Sequence, residues 1–203
     1  MKTAILQITL RADIGGGPEH LYRLVKGFLP NINCFIAAPN DEPYYNLFKE
    51  IVGENNLIEI PHRKFELSSL FLLRNVVKNK SISIIHSHGK GAGIYSRLLG
   101  ILTRKKVMHT FHGFHIGNYN SVQKKLYILL EKLLSKFTDK IITVSEGEKQ
   151  EILDAGICNS RKIVVITNGV EIQPVKVTEL NFEQQPKKLF RFQDSTIKKI
   201  LSF

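Results

Sequence analysis

The stretch Ser81-Ile82-Ser83-Ile84-Ile85-His86-Ser87-His88-Gly89 decides the fold of this 203-residue chain. Its β-type residues predict a strand, and His88-Gly89 marks the point where that strand gives way to a loop. A second run of this kind, Val107-Met108-His109, leads into His112-Gly113. Because ligands bind beyond the carboxyl ends of the strands in a parallel α/β sheet, we expect both His-Gly junctions to border a binding crevice.

Similar β-rich runs recur along the chain and alternate with segments of helical period. The predicted strands lie near residues 3–9, 33–37, 57–60, 82–87, 105–110, 140–144 and 162–166. This alternation predicts an α/β fold with a doubly wound, Rossmann-like parallel sheet. From about Pro174 the pattern fails. We therefore expect one Rossmann-like domain over residues 1–173, followed by a linker and aberrant tail over residues 174–203.

Charge and composition narrow the classes of function. A formal net charge of +11 indicates an anionic partner. The basic residues are spread along the chain without a zinc-finger or RNA-recognition signature, so nucleic acid is not expected. No signal peptide is predicted, and the longest apolar runs fall far short of the ~20 residues that span a bilayer. The widely separated Cys34 and Cys158 favour a reducing compartment, so we expect a cytoplasmic protein.

A glycine loop, Gly15-Gly16-Gly17, follows the first predicted strand and opens a helix that has Pro18 in its first turn. Bare backbone N–H groups and the helix N-terminus can face a phosphate there at close range. The alternative is a tight turn that simply needs glycine. Glu19-His20 stand where a P-loop would need Lys-Ser/Thr, and GxGxxG is absent, so neither NTP hydrolysis nor dinucleotide binding is predicted.

The most regular predicted helix runs from about Ser121 to Lys136. Its apolar residues recur at i, i+3 and i+4 spacing, and lysines occupy other positions. The apolar set is Leu126, Leu129, Leu130, Leu133, Leu134 and Phe137, and the lysines are Lys124, Lys125, Lys132 and Lys136. We expect the apolar face to pack on the sheet and the basic face to be solvated. The alternative is a membrane-surface helix attracted to anionic lipid.

A further helix is predicted to start at Ser145, with Glu148 three residues later as a capping box, and to stop near Gly156. This places Val144, Ser145 and Glu146 at another junction between a strand and a helix.

Five histidines fall between positions 86 and 115. His88 and His112 are candidate site residues, because a neutral imidazole can orient a sugar hydroxyl or a phosphate. His86, His109 and His115 are expected to be supporting or structural groups. A metal site is the chemical rival, but neither histidine group has a carboxylate or thiolate within a few residues and no HExxH helix occurs. No metal is therefore expected.

The ordered segments together are more specific than any one of them. They are Gly15-Gly16-Gly17-Pro18-Glu19, Ile85-His86-Ser87-His88-Gly89, Thr110-Phe111-His112-Gly113, Glu131-Lys132-Leu133-Leu134, Asp139-Lys140-Ile141-Ile142-Thr143-Val144-Ser145-Glu146 and Asn168-Gly169-Val170. In this order they resemble the N-terminal half of GT-B glycosyltransferases of the family-4 type, over roughly residues 3–172.

The resemblance implies a metal-independent, retaining enzyme without a cofactor, which moves a sugar from a nucleotide-sugar donor to a glycan or lipid-linked acceptor in polysaccharide or cell-envelope synthesis. It implies that His112 is the catalytic group beside the transferred sugar. The residues matched to the donor diphosphate and sugar are Gly16, Gly17 and Gly113. Those matched to the crevice or the acceptor are Glu19, His88, Gly89, Ser145 and Glu146. Asn168-Gly169 would mark the turn toward an interdomain hinge.

The chain also departs from the family pattern. Family members carry a basic residue and a Glu-x7-Glu element in a C-terminal, donor-binding domain, and nothing after Val170 supplies them. The expectation is an acceptor-side half that is inactive alone, with residues 174–203 as the remnant of a truncated second domain. It would be either a truncated gene product or one part of a split enzyme that has a separate C-terminal half. The alternative is a non-catalytic acceptor- or membrane-binding subunit of a split glycosyltransferase, in peripheral contact with the anionic inner face of the membrane.

Overall fold

A computed structural model of the chain contains a seven-stranded sheet in which every strand pair is parallel. It describes residues 3–28, 32–114, 117 and 119–167. The strands are β1 (Thr3–Thr9), β2 (Ile32–Ala38), β3 (Leu57–Glu59), β4 (Ile84–His88), β5 (Lys106–Thr110), β6 (Lys140–Thr143) and β7 (Ile163–Val165). The predicted Rossmann-like α/β sheet is confirmed. The predicted tail, residues 174–203, lies outside the described residues, as do His115 and Asn168-Gly169.

The sheet has a topological switch point between β1 and β4. Its strand order is β3-β2-β1-β4-β5-β6-β7, so the chain builds outward from β1 and then returns to build in the other direction from β4. In open α/β sheets the crevice at such a point is where ligands bind. The register sets Thr9 opposite His88, and His88 opposite Thr110, at the carboxyl ends of three neighbouring strands.

Helices cover the sheet in two layers. They are α1 (Gly16–Lys26), α2 (Tyr44–Val52), α3 (Leu67–Asn79), α4 (Lys90–Thr103), α5 (Ser121–Ser135) and α6 (Glu146–Asp154). Leu73 of α3 and Leu99 of α4 join a buried cluster with Leu6 and Ile85 on one face of the sheet. On the other face, Leu24 of α1 packs against a cluster formed by alternate strand residues such as Ile5. Burial of each large apolar side chain contributes about 1.5–3 kcal/mol.

The predicted orientation of α5 is wrong. Leu126, Leu129 and Leu133 are 61%, 64% and 52% exposed, so most of the apolar stripe points to solvent. Of the predicted apolar set, only Leu134 is buried. The spacing of apolar residues identifies a stripe on a helix, but it does not tell which side of the helix the sheet occupies.

The face of α5 that does meet the domain is held by polar contacts. Glu131 accepts a hydrogen bond from buried Arg97 of α4, at 3.1 Å, and both side chains are at most 2% exposed. Ser135 donates to the backbone oxygen of Ile157 at 2.9 Å. Tyr127 and Ile128 of the same helix pack against a buried cluster that includes Phe111 and Ile141. No described helix combines the length and the apolar character that crossing a membrane requires.

Candidate functional site

Two histidines that are far apart in sequence meet at the switch point. His88 is the last residue of β4, and His112 follows β5 by two residues. Nδ1 of His88 lies 3.1 Å from Nε2 of His112. The strand-end argument predicts that the two His-Gly junctions border one crevice, and the structure brings them into direct contact.

Two further residues complete this histidine cluster, and neither is predicted from the sequence alone. Oε1 of Gln7, in β1, lies 2.8 Å from Nε2 of His88. The ring of His20, in α1, lies with its centroid 4.7 Å from that of His112 and 5.8 Å from that of His88. The sequence signal for Gln7 is a polar residue inside an apolar strand; His20 offers only its place after the glycine loop.

The electrostatics of the cluster keep its buried imidazoles uncharged. Burial, reinforced by neighbouring His20, lowers the pKa of His112 to about 3. Burial, reinforced by the surrounding histidines, holds the pKa of His88 well below its ordinary value. Near pH 7 each of these rings therefore carries one N–H donor and one bare acceptor nitrogen. Such rings can orient a neutral hydroxyl without adding charge to the crevice.

The glycine loop leaves open space at the N-terminus of α1. None of its three glycines has a backbone conformation in the left-handed region, and a Cβ placed on Gly16 or Gly17 meets no atom within 4 Å. The fold itself therefore gives no reason for glycine at these two positions. Backbone N–H groups in the first turn of a helix lack intrahelical acceptors, and an anion can bind them.

The turn that carries His112 is strained and is held in place from α6. His112 has φ 57° and Gly113 has φ 104°. A non-glycine residue in the left-handed region costs about 1–3 kcal/mol and persists only where its surroundings fix it. Buried Glu148 accepts hydrogen bonds from the backbone N–H of Gly113 and, at 2.8 Å, from that of Val144.

The predicted capping box at the start of α6 is only half present. Ser145 caps α6 as predicted, since its Oγ accepts from the N–H of Glu148 at 3.1 Å. The carboxylate of Glu148 does not complete the box, because it turns to Val144 and Gly113 instead. Its role in supporting the His112-Gly113 turn is a tertiary contact over 35 residues, which local sequence cannot reveal.

The remaining predicted site residues have varied surroundings. The carboxylate of Glu19 accepts from Tyr44 and pairs with Arg23, and these contacts lower its pKa. Glu146 is exposed and pairs with Lys149 at 3.0 Å. Gly89, beside His88, has φ 79°, and a Cβ placed on it meets no atom within 4 Å.

His86 and His109 lie inside the fold. Nε2 of His86 is 2.9 Å from Oγ1 of Thr110, and Nδ1 of His109 is 2.9 Å from Oγ of Ser87. Both rings are at most 1% exposed. These contacts agree with the expectation that His86 and His109 are supporting or structural groups.

Within the described residues, His20, His88 and His112 form a group whose ligand atoms lie within 4.8 Å of one another. Three imidazoles are a ligand set that zinc accepts. Here, however, the facing nitrogens of His88 and His112 hydrogen-bond to each other, so a metal ion would have to replace that proton. The cluster as it stands is suited to hydrogen bonding.

This combination of features defines a class. A parallel sheet with a switch point, a helix N-terminus opened by glycines and paired imidazoles at the same edge is a Rossmann-like domain suited to an anionic ligand that carries hydroxyl groups. The chain belongs to Glycosyltransferase Family 4, whose family model matches residues 14–173.

Curated relatives agree with this family. The chain is 27% identical over 168 residues to the O-antigen biosynthesis glycosyltransferase WbnH of Escherichia coli, which covers 82% of this chain and 49% of the relative. It is 30% identical over 110 residues, 53% of this chain and 28% of the relative, to the E. coli UDP-Gal:alpha-D-GlcNAc-diphosphoundecaprenol alpha-1,3-galactosyltransferase. The chain thus spans at most about half the length of these two relatives.

Solved structures show the same fold. The Anabaena protein HepE, in complex with UDP and glucose, aligns with a TM-score of 0.66 at 16% identity, over 83% of this chain and 45% of that one. A glycosyltransferase from Rickettsia africae aligns with a TM-score of 0.59 at 25% identity, over 83% of this chain and 44% of that one.

Proposed function

We propose that this chain is the acceptor-side half of a retaining, metal-independent glycosyltransferase that uses a nucleotide-sugar donor. One observation carries the proposal: the ring contact between His20 and His112 places the glycine-opened N-terminus of α1 beside the His88–His112 pair. A helix end that could bind an anion and a neutral imidazole thus lie close together.

The chemistry of sugar transfer explains why these groups belong together. Departure of a nucleoside diphosphate leaves negative charge on the leaving group and an oxocarbenium-like sugar. Amides at Gly16 and Gly17 would face the diphosphate, where the helix end stabilises negative charge. His112, with Gly113, would hold the transferred sugar in position for attack. His88 and Gly89 would border the same site.

The functions for which the relatives are named support the choice of substrates. WbnH is named for O-antigen biosynthesis, and a second E. coli relative is named for a UDP-galactose donor and a diphosphoundecaprenol acceptor. We assign this chain, by analogy, a nucleotide-sugar donor and a glycan or lipid-linked acceptor in cell-envelope polysaccharide synthesis.

Ligand binding to the purified chain tests the proposal. Saturation-transfer NMR with UDP-glucose should show contact to the sugar protons, and His112→Ala should abolish that contact while the circular dichroism spectrum is retained. Saturation that survives in His112→Ala would contradict the placement of the site. Strong transfer from UDP-sugars by this chain alone, in the presence of EDTA, would contradict the need for a second half.

A second candidate function rests on α5. At about 100° per residue, exposed Leu126, Leu129 and Leu133 form one stripe on the side opposite buried Glu131. Exposed lysines, including Lys125, flank this stripe. An apolar stripe beside cations is the pattern of a helix that lies on an anionic bilayer, so α5 would dock the chain at the cytoplasmic membrane face.

Liposome co-sedimentation tests this docking. The chain should bind phosphatidylglycerol vesicles at low salt and be released at high salt, because screening weakens the lysine contacts. The double variant Leu126→Gln/Leu133→Gln should bind several-fold more weakly, whereas Leu67→Gln, at an exposed position on α3, should bind as the native chain does. Equal binding of neutral and anionic vesicles would argue against the proposal.

A further inference from the structure

Gln7 is an unusual residue for its position. It lies in the middle of β1, is fully buried, and stands in register with His86 of β4. Its neighbours along the strand are apolar, and a carboxamide there costs free energy unless it is hydrogen-bonded. Nε2 of Gln7 has no partner among the described residues, whereas Oε1 lies 2.8 Å from Nε2 of His88. The side chain therefore acts through its oxygen.

That one contact fixes a series of proton positions. An amide oxygen can only accept, so Nε2 of His88 must carry the proton and donate. A neutral His88 then has a bare Nδ1, which can only accept. Nε2 of His112, 3.1 Å away, must therefore be the donor, and the remaining nitrogen of a neutral His112, Nδ1, carries no proton. Burial supports neutrality, because it lowers the pKa of both rings.

We propose that Gln7 is a positioning residue that, through His88, holds His112 in the tautomer protonated at Nε2. The proposal rests on the function given above, in which His112 lies beside the transferred sugar. His112 then meets that sugar as a hydrogen-bond acceptor, so the site selects a sugar with a hydroxyl donor at the contact. The opposite orientation of the Gln7 amide would reverse every donor in the series, and the experiment distinguishes the two.

The test is nitrogen-15 NMR of histidine-labelled chain at pH 7, where protonated and bare ring nitrogens resonate at clearly different positions. In the native chain, Nε2 of His112 should appear protonated and Nδ1 bare. The near-isosteric Gln7→Met removes the acceptor, so both His112 nitrogens should move to intermediate positions that report mixed tautomers. Thr110→Val is the matched control: it removes an equally buried partner of His86 and should leave His112 unchanged.

Two results would overturn the inference: a native His112 protonated at Nδ1, or a folded Gln7→Met whose His112 spectrum matches the native one. Should Gln7→Met fail to fold, the native spectrum still decides the direction. Saturation-transfer NMR with UDP-glucose separates this inference from the proposed function. The expected tautomer without sugar contact would contradict the function alone, whereas sugar contact with the reversed tautomer would contradict the role of Gln7.

Discussion

His112 combines features that would each be unfavourable on their own. It has a left-handed backbone conformation, its ring is largely buried, and its pKa is lowered to about 3. The strain is tolerated because Glu148 fixes the next residue, Gly113, from α6. The uncharged ring is stable because it hydrogen-bonds to His88, and His88 in turn hydrogen-bonds to Gln7. Residues kept in costly conformations by several independent contacts are typical of functional sites.

Replacement of Gly17 by alanine should change the stability of the chain and its binding of UDP-glucose in opposite directions. A Cβ there meets no atom within 4 Å, and alanine is the better helix former. Gly17→Ala should therefore raise the free energy of unfolding by up to about 1 kcal/mol. It should also weaken UDP-glucose binding, because the methyl group enters the space proposed for the diphosphate. Urea unfolding and titration calorimetry measure the two effects.

Gly91→Ala serves as the control for that pair of measurements. A Cβ at this position of α4 would lie 2.5 Å from Cδ1 of Leu10, so the substitution should overpack the core and cost about 1–3 kcal/mol. If Gly17→Ala destabilised the chain as Gly91→Ala does, the loop would be needed for folding and its assignment to the donor would lose support.

At the scale of elements, strands were more predictable than helix orientation. The alternation of β-rich runs with helical segments predicts all seven described strands, because a strand buried on both faces leaves a continuous apolar run. The apolar stripe of α5 is equally clear, yet it points outward. The buried Arg97–Glu131 pair sets which face of this helix meets the domain. A hydrophobic pattern expects both charged groups in solvent, and 34 residues separate them in sequence, so the pattern cannot predict the contact.

Glu131→Gln tests how strongly that pair holds α5. The substitution leaves Arg97 buried without a compensating charge, which typically costs 3–5 kcal/mol for a buried ion pair. We expect the midpoint of urea unfolding to fall by a corresponding amount. Glu146→Gln breaks an exposed pair with Lys149 and should cost at most about 1 kcal/mol. Equal effects of the two variants would show that the buried pair does not hold the helix.

For the whole molecule, the topology predicts where the site lies, but it does not predict all the residues that form it. Parallel strands end at one edge, so the sequence places His88 and His112 in one crevice. Gln7, His20 and Glu148 enter the site through contacts that depend on side-chain direction and helix placement. These properties are set by tertiary packing, so a single sequence without the fold gives no signal strong enough to select them.

The number of buried histidines leads to a prediction about the whole fold. His86, His88, His109 and His112 all have a lowered pKa, chiefly because burial disfavours the charged ring. Below about pH 6.5 the unfolded chain takes up these protons while the native chain does not. The unfolded state then binds more protons, so the free energy of unfolding falls as pH falls, by up to about 1.4 kcal/mol per pH unit for each ring.

Urea titrations at about pH 7.5, 6.5 and 5.5 should therefore show a steep loss of stability before the carboxylates titrate. His86→Asn removes one of the four rings and should lower the slope below pH 6.5 by about a quarter, even if it also lowers stability at every pH. A flat stability profile between pH 7.5 and 5.5 would show that the buried rings are protonated in the native chain. The neutral-imidazole site, and with it the donor and acceptor assignments for His88 and His112, would then fail together.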